Sequence, residues 1–201
     1  SEKSTESGVK YFVLGALSSG LFLYGCSILY GFTGSTNYYI ISESLKISTN
    51  IPILFGIIFV IIGLAFKISA VPFHMWSPDV YQGSPTSVTS FFALAPKIAG
   101  LGAIIRILYI CFENIYLEWK AVIIFISIAS MLLGAFAAIG QTNLKRLMAY
   151  SSISHIGYVL ASLTTNTKDG VISAISYLNI YIIMMISSFA CILLFRRKNI
   201  Y

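Results

Sequence analysis

The sequence predicts an all-α, polytopic integral membrane protein: a helical bundle with about six transmembrane helices, one of them broken, forming a single membrane domain over residues 1–201. Three observations carry this prediction. Of the 201 residues, 57% are hydrophobic and only 10% are charged, whereas soluble domains carry about 25% charged residues. The mean hydropathy is +0.85. Apolar runs of about 18 residues or more, long enough to cross a hydrocarbon core of ~30 Å, recur along the chain with short polar linkers between them. A soluble globule of this size could not cover itself with polar groups. A soluble enzyme, a nucleic-acid-binding module and a disordered tail are therefore excluded.

The spans follow in order. The chain begins Ser-Glu-Lys-Ser, with no basic n-region, short apolar stretch and cleavage site, so no signal peptide is read there. A start without Met suggests a piece of something longer, or a processed or partial chain. The first span, Val9–Tyr30, carries the small-residue pairs Gly15/Ser19 and Ala16/Gly20, which suit close helix contact. The longest linker, Asn37–Asn50, leads to the second span, Ile51–Ala70, which ends beside Lys67 and runs into Pro72. In the linker Pro72–Ser87, Trp76 and Tyr81 suit an interfacial belt, and Ser77-Pro78-Asp79 reads as a turn. His74 and Asp79 lack a nucleophile or metal partner at useful spacing and read as structural. The third span is Val88–Cys111, and the fourth, Trp119–Gln141, has the small pair Gly134/Ala138. The fifth, Leu147–Thr165, is the least apolar, and the sixth is Val171–Phe195.

With six spans both termini share one side. That side collects Lys3, Lys10, Lys145, Arg146, Arg196, Arg197 and Lys198, against Lys46, Lys120 and Lys168 on the other, with Arg106 inside a span. By the positive-inside rule the termini face the cytoplasm or the mitochondrial matrix. The net charge of +6 is thus a topology signal and not a sign of nucleic-acid binding.

Three titratable side chains fall within or at the ends of spans. Lys67 closes the second, Lys97 lies inside the third, and His155 sits near the middle of the fifth. A central lysine costs ~2.5–3.5 kcal/mol on insertion scales, so such residues face a bundle interior or a wet cavity. Pro96 and Pro72 stand beside the two lysines. Each would free the carbonyl four residues back, at Phe92 and at Ile68, if its helix continued through it. A freed carbonyl at membrane depth must be buried in protein or line a wet cavity, so a broken helix with an adjacent amine reads as an ion or proton site. Ser151, His155, Tyr158 and Ser162, at i, i+4, i+7 and i+11, share one helix face. The structural alternatives are a snorkelling Lys67, a plain proline kink, and a histidine satisfied by neighbouring serines. No Gly-rich phosphate loop, haem pair or cysteine cluster occurs, so no redox cofactor or metal site is read in this chain.

Several segments resemble one family. They are Tyr11-Phe12-Val13-Leu14-Gly15-Ala16-Leu17-Ser18-Ser19-Gly20, the stretch Phe66-Lys67-Ile68-Ser69-Ala70-Val71-Pro72-Phe73-His74-Met75-Trp76-Ser77-Pro78-Asp79-Val80-Tyr81, Pro96-Lys97-Ile98-Ala99, and Asn143-Leu144-Lys145-Arg146 through Gly157-Tyr158. Together they are similar to the subunit 2 family of respiratory complex I, called subunit N in bacteria. The resemblance covers nearly the whole chain. It implies an antiporter-like inverted-repeat fold of about fourteen helices, of which this chain would match helices six to eleven. It places Lys67 at the lysine of the broken seventh helix, Lys97 at that of the eighth, and His155 on the central polar axis, the three forming a proton relay. The family's helix-five glutamate and helix-twelve lysine are absent. The resemblance therefore implies a split or partial chain, with another polypeptide supplying missing helices.

The implied function is proton translocation in the membrane arm of NADH:ubiquinone oxidoreductase, with no redox chemistry in this chain. Flavin and iron–sulfur clusters would lie in partner subunits. The expected surroundings are other membrane-arm subunits and membrane lipids, without nucleic acid. The expected location is the mitochondrial inner membrane with the termini in the matrix, or alternatively a bacterial plasma membrane. The rival readings are a freestanding cation/proton antiporter and a structural membrane-arm component without pumping.

Overall fold

The computed structural model describes residues 2–47 and 50–197 and, among them, contains helices and no strand. Eight α-helices follow one another: α1 (Glu2–Thr33), α2 (Tyr38–Ile47), α3 (Ile51–Ile68), α4 (Trp76–Gly83), α5 (Thr86–Arg106), α6 (Tyr116–Ile139), α7 (Leu144–Leu163) and α8 (Lys168–Arg197). A π-helical turn, Ile107–Cys111, prolongs α5. The helices α1, α3, α5 with its π turn, α6 and α8 are long and apolar enough to cross a membrane. Helix α7, expected as the fifth span, has 20 residues and so reaches about 30 Å. It is too polar to qualify by composition, and it packs against α6 on one side and α8 on the other. Lys198, counted among the charges at the terminal side, lies outside the described residues.

Successive long helices run back and forth between two ends. At the end holding the start of α1, Lys10 and Arg146 both meet Asp79, and Lys145 Nζ donates to the Ser84 carbonyl at 2.7 Å. At the opposite end Tyr109 and Tyr116 donate their hydroxyls to the carbonyls of Leu163 and Thr164. The linker expected over Asn37–Asn50 is mostly helix α2, whose Ile41 and Leu45 are buried. Asn114 fixes α2 by donating to Ser42 Oγ at 2.7 Å.

Close approach of helices follows from missing side chains. A Cβ on Gly134 of α6 would fall 2.6 Å from the Ser154 nitrogen of α7, and one on Gly157 of α7 would fall 2.7 Å from Met131 of α6. Between α1 and α3 the contact is made at Gly25, whose added Cβ would lie 2.7 Å from the Gly56 carbonyl. Gly20 meets nothing within 4 Å, so the expected Ala16/Gly20 pair is not the contact. Two cores result. A large aliphatic one occupies the half towards the opposite end, and a smaller one, rich in aromatic side chains and including Phe66, Trp76, Tyr81 and Phe189, fills the half towards the terminal end.

Candidate functional site

Helix α3 stops at Ile68 because Ser69 adopts a left-handed conformation, φ 61°. The Ser69 N–H donates to the Phe66 carbonyl and the Ala70 N–H to that of Ala65, a Schellman closure with serine where glycine is usual. The Val71–Pro72 bond is cis. Because the helix has already closed at Ser69, it does not continue through Pro72, and the expected freeing of the Ile68 carbonyl by that proline does not arise. Two backbone groups of the break also meet side chains. Ser130 of α6 accepts from the Val71 N–H at 2.9 Å, and the Trp76 indole donates to the Phe66 carbonyl at 3.0 Å.

The chain re-enters helix at Trp76. Pro78 lies in the first turn of α4, where its missing N–H costs no hydrogen bond. Ser77-Pro78-Asp79, expected as a turn, is thus the start of a helix. Trp76 and Tyr81, expected in an interfacial belt, are 2% and 0% exposed. The break needs an indole donor and aromatic bulk to seal it, and that requirement draws both rings inward.

Lys97 lies eleven residues into α5, about 16 Å below its first residue, and is 0% exposed. Its Nζ donates to Ser152 Oγ of α7 at 2.6 Å and lies 5.7 Å from the centre of the Tyr81 ring. Ser152 spends its own proton on the Ala149 carbonyl and so can only accept from the amine. Among the described residues no carboxylate pairs with Lys97. The ion pairs there are Lys10–Glu6, Lys10–Asp79 and Arg146–Asp79. Helix α5 passes through Pro96 without ending, and Tyr181 of α8 donates to the Ala93 carbonyl beside it.

His155 sits one turn after Ser152, partly buried, with Nδ1 2.7 Å from the Tyr177 hydroxyl. The polar stripe expected on α7 holds only in part. Tyr158 is 51% exposed, and Ser162 donates to its own helix at Val159. The serine that meets Lys97 is Ser152, not Ser151. Its place three residues before His155 was the available signal, since positions three apart share a face.

Lys67 differs from the other two. It stands at the end of α3, opposite Gly100, which lies one turn beyond Lys97 on α5. A Cβ on Gly100 would come within 2.7 Å of Ile68 and 3.8 Å of Lys67 Cβ. Yet Lys67 is exposed, because the inward positions of that turn are taken by Leu64, Ala65 and Ile68. The structure thus brings Lys97 and His155 towards one buried cluster and leaves Lys67 on an outer face of the chain.

The two ends of the site are unlike. Towards the terminal end, α4 turns Asp79 and Gln82 into a surface cavity of about 200 Å³ shared with Lys10 and Arg146. Partial burial pushes the Asp79 carboxyl up, but hydrogen bonds and charge from Lys10 and Arg146 outweigh it and hold the group below the ordinary carboxylate range. Towards the opposite end, Ile61, Leu64, Ile104, Leu108, Ile126 and Leu160 enclose only about 10 Å³ of apolar space. That is at or below the room one water needs. Among the described residues no group of three or more His, Cys, Asp or Glu side chains could hold a metal ion.

Fold and site define a polytopic helical membrane scaffold: a broken helix beside a buried lysine without a carboxylate partner among the described residues, polar on one side and sealed on the other. The description NADH:quinone oxidoreductase/Mrp antiporter, TM, matches residues 1–200, and the chain belongs to that family. It is 58% identical over 199 residues to NADH-quinone oxidoreductase subunit N of Pelagibacter ubique, a match covering 99% of this chain and 42% of that protein. Among solved structures it resembles a chain of respiratory complex I from Thermus thermophilus, at 34% identity and TM-score 0.79, covering 94% of this chain and 40% of that one. It also resembles a chain of the Mrp complex from a Dietzia species, at 26% identity and TM-score 0.81, covering 92% and 34%. The chain thus spans about two-fifths of the length of the curated relative.

Proposed function

We propose that this chain forms part of a proton-translocating membrane-arm subunit of NADH:quinone oxidoreductase, with Lys67, Lys97 and His155 as its proton relay. The observation that carries the reading is Lys97: a fully buried amine with one hydroxyl partner and no carboxylate, beside a helix break. As a neutral amine it accepts a proton. As an ammonium it is held by Ser152 and the Tyr81 ring face, a weak enough set of partners for the proton to leave again. His155 passes charge onward from α7 to Tyr177 of α8. Lys67 meets an acidic residue from helices outside these 201 residues. An acid moving towards Lys67 favours its ammonium and one moving away favours the amine, which is how the site loads and unloads.

No electron passes through this chain. Flavin and iron–sulfur clusters reside in partner subunits, and the chain's own contacts are other membrane-arm subunits and lipid. The termini face the matrix or cytoplasm. The named relative is bacterial, which favours a bacterial plasma membrane over a mitochondrial inner membrane. The experiment is affinity purification of the tagged chain from its native membrane in mild detergent. Co-purification of a large assembly with NADH:quinone reductase activity supports the reading. A chain that migrates alone and exchanges cations for protons without NADH would establish the freestanding antiporter instead.

A further inference from the structure

Five buried side-chain atoms lack a hydrogen-bond partner among the described residues: Ser69 Oγ, His74 Nδ1, Ser77 Oγ, Tyr81 OH and Thr86 Oγ1. All five fall within residues 69–86, the stretch that links α3 to α5. Random imperfections would scatter over eight helices; these fall in one stretch of the chain. Buried hydroxyls are nearly always paired with protein or water, so a run of orphans marks a place where water binds.

The order of the orphans along the chain has a direction. Thr86 lines a surface cavity of about 740 Å³ together with Gln82–Pro85 and Lys145. Tyr81 and Ser77 are one turn apart on the buried face of α4, while Asp79 and Gln82 on the same helix face the surface cavities. The Tyr81 ring lies beneath the Lys97 ammonium. The hydroxyls of Ser77 and Ser152 approach the Tyr81 hydroxyl at the margin of hydrogen bonding, yet neither makes a bond of good geometry to it. Polar groups that face one another across more than a hydrogen bond are commonly bridged by water.

We propose that Tyr81 is a positioning residue for proton delivery to Lys97: its hydroxyl, with that of Ser77, holds a water between the terminal-end cavity and the buried amine. This rests on the proton-relay reading of Lys97. The water gives a proton to the neutral amine and regains one from the cavity side. Only O–H and N–H bonds are exchanged, the phenol stays protonated, and no oxidant or reductant is needed. The adjacent carbonyls and Ser152 cannot take this part, since Ser152 has already donated its proton to Ala149.

The test is Tyr81→Phe in the complete oxidoreductase, reconstituted into vesicles and compared with wild type and Lys97→Met. If Tyr81 only fills space, removing an unpartnered hydroxyl leaves rate and pumping unchanged and stability equal or higher. If it holds the water, the complex assembles normally, NADH-driven proton uptake falls about tenfold, the factor one hydrogen bond of ordinary net strength commands, and the H2O/D2O rate ratio rises. Wild-type rate and isotope ratio in Tyr81→Phe, with Lys97→Met inactive, overturn this proposal alone. Full activity in both overturns the relay reading as well. Should Tyr81→Phe assemble poorly, Ser77→Ala removes the second hydroxyl without touching the ring; an unchanged rate and isotope ratio there overturn the proposal.

Discussion

Replacing Lys97 by methionine separates packing from titration. The perturbation keeps the length and most of the volume of the side chain, so no sizeable cavity opens around a residue that is 0% exposed. Two opposing effects follow. The 2.6 Å bond to Ser152 is lost, which at the strength of a charge-assisted bond removes about 1.5–3 kcal/mol from the cationic state. Ser152 leaves no orphan donor behind, because its proton already rests on Ala149. Against this, a cation held without a carboxylate partner costs several kcal/mol to desolvate. The second effect is the larger, so Lys97→Met should leave the assembled complex equally stable or more stable by about 1–3 kcal/mol. Function should move the other way. In vesicles the variant complex should lose proton pumping coupled to NADH oxidation. Lys97→Arg should fail too, since guanidinium stays protonated at any working pH. The assay pairs a thermal melt of the purified complex with proton uptake per NADH oxidised. A Lys97→Met complex that pumps at the wild-type ratio would refute the relay. Full activity in Lys97→Arg alone would show that the position requires fixed positive charge.

Two further outcomes bear on the scaffold. Gly134→Ala should weaken the α6–α7 contact by about 1–3 kcal/mol, because its Cβ would fall 2.6 Å from the Ser154 nitrogen; an unchanged melting temperature in detergent would contradict that contact. Asp79, held below the ordinary carboxylate range, contributes stability that is fully present above about pH 4 and is lost as pH falls through its depressed value. The pairs to Lys10 and Arg146 are partly exposed, so the increment is about 1 kcal/mol or less. Asp79→Asn should lower stability at neutral pH by that amount and flatten the acid side of the melting curve. An Asn variant that keeps the wild-type acid slope would assign it to another group.

Much of this architecture is written in local pattern. Apolar run length marked the long helices, and the polarity of Leu147–Thr165 already set α7 apart. Lys97 stood out because ten or so apolar residues flank it on either side. What pattern could not supply was the route of the chain through the break. Ser77-Pro78-Asp79 has the composition of a turn, and only the left-handed Ser69, closed by Ala70 onto Ala65, shows that the helix had already ended at Ile68. Trp76 and Tyr81 look interfacial until the carbonyl of Phe66 claims the indole. Ser152 was hidden by a choice between adjacent serines that helical spacing alone did not make. The exposure of Lys67 depends on which neighbours occupy the inward positions of α3, a property of tertiary packing.

The aliphatic seal beneath Lys97 has an electrical consequence. A layer of Ile and Leu side chains with no room for water has a low dielectric constant, while the water path proposed towards the terminal end conducts protons and screens charge. A membrane voltage divides unevenly across such a pair: little of it falls over the wet half, and most falls over the dry one. Lys97, although about 16 Å deep by helix rise, then sits electrically close to the terminal-end solution. Loading it costs almost no work against the voltage. In the proposed relay, the work of moving a charge, about 2.3 kcal/mol per 100 mV, is concentrated in the later step in which the proton leaves Lys97 for the opposite end. Time-resolved voltage recordings on oriented membranes should register release and not uptake; a charge signal that rises with protonation of Lys97 would show that the field reaches the amine from the other side.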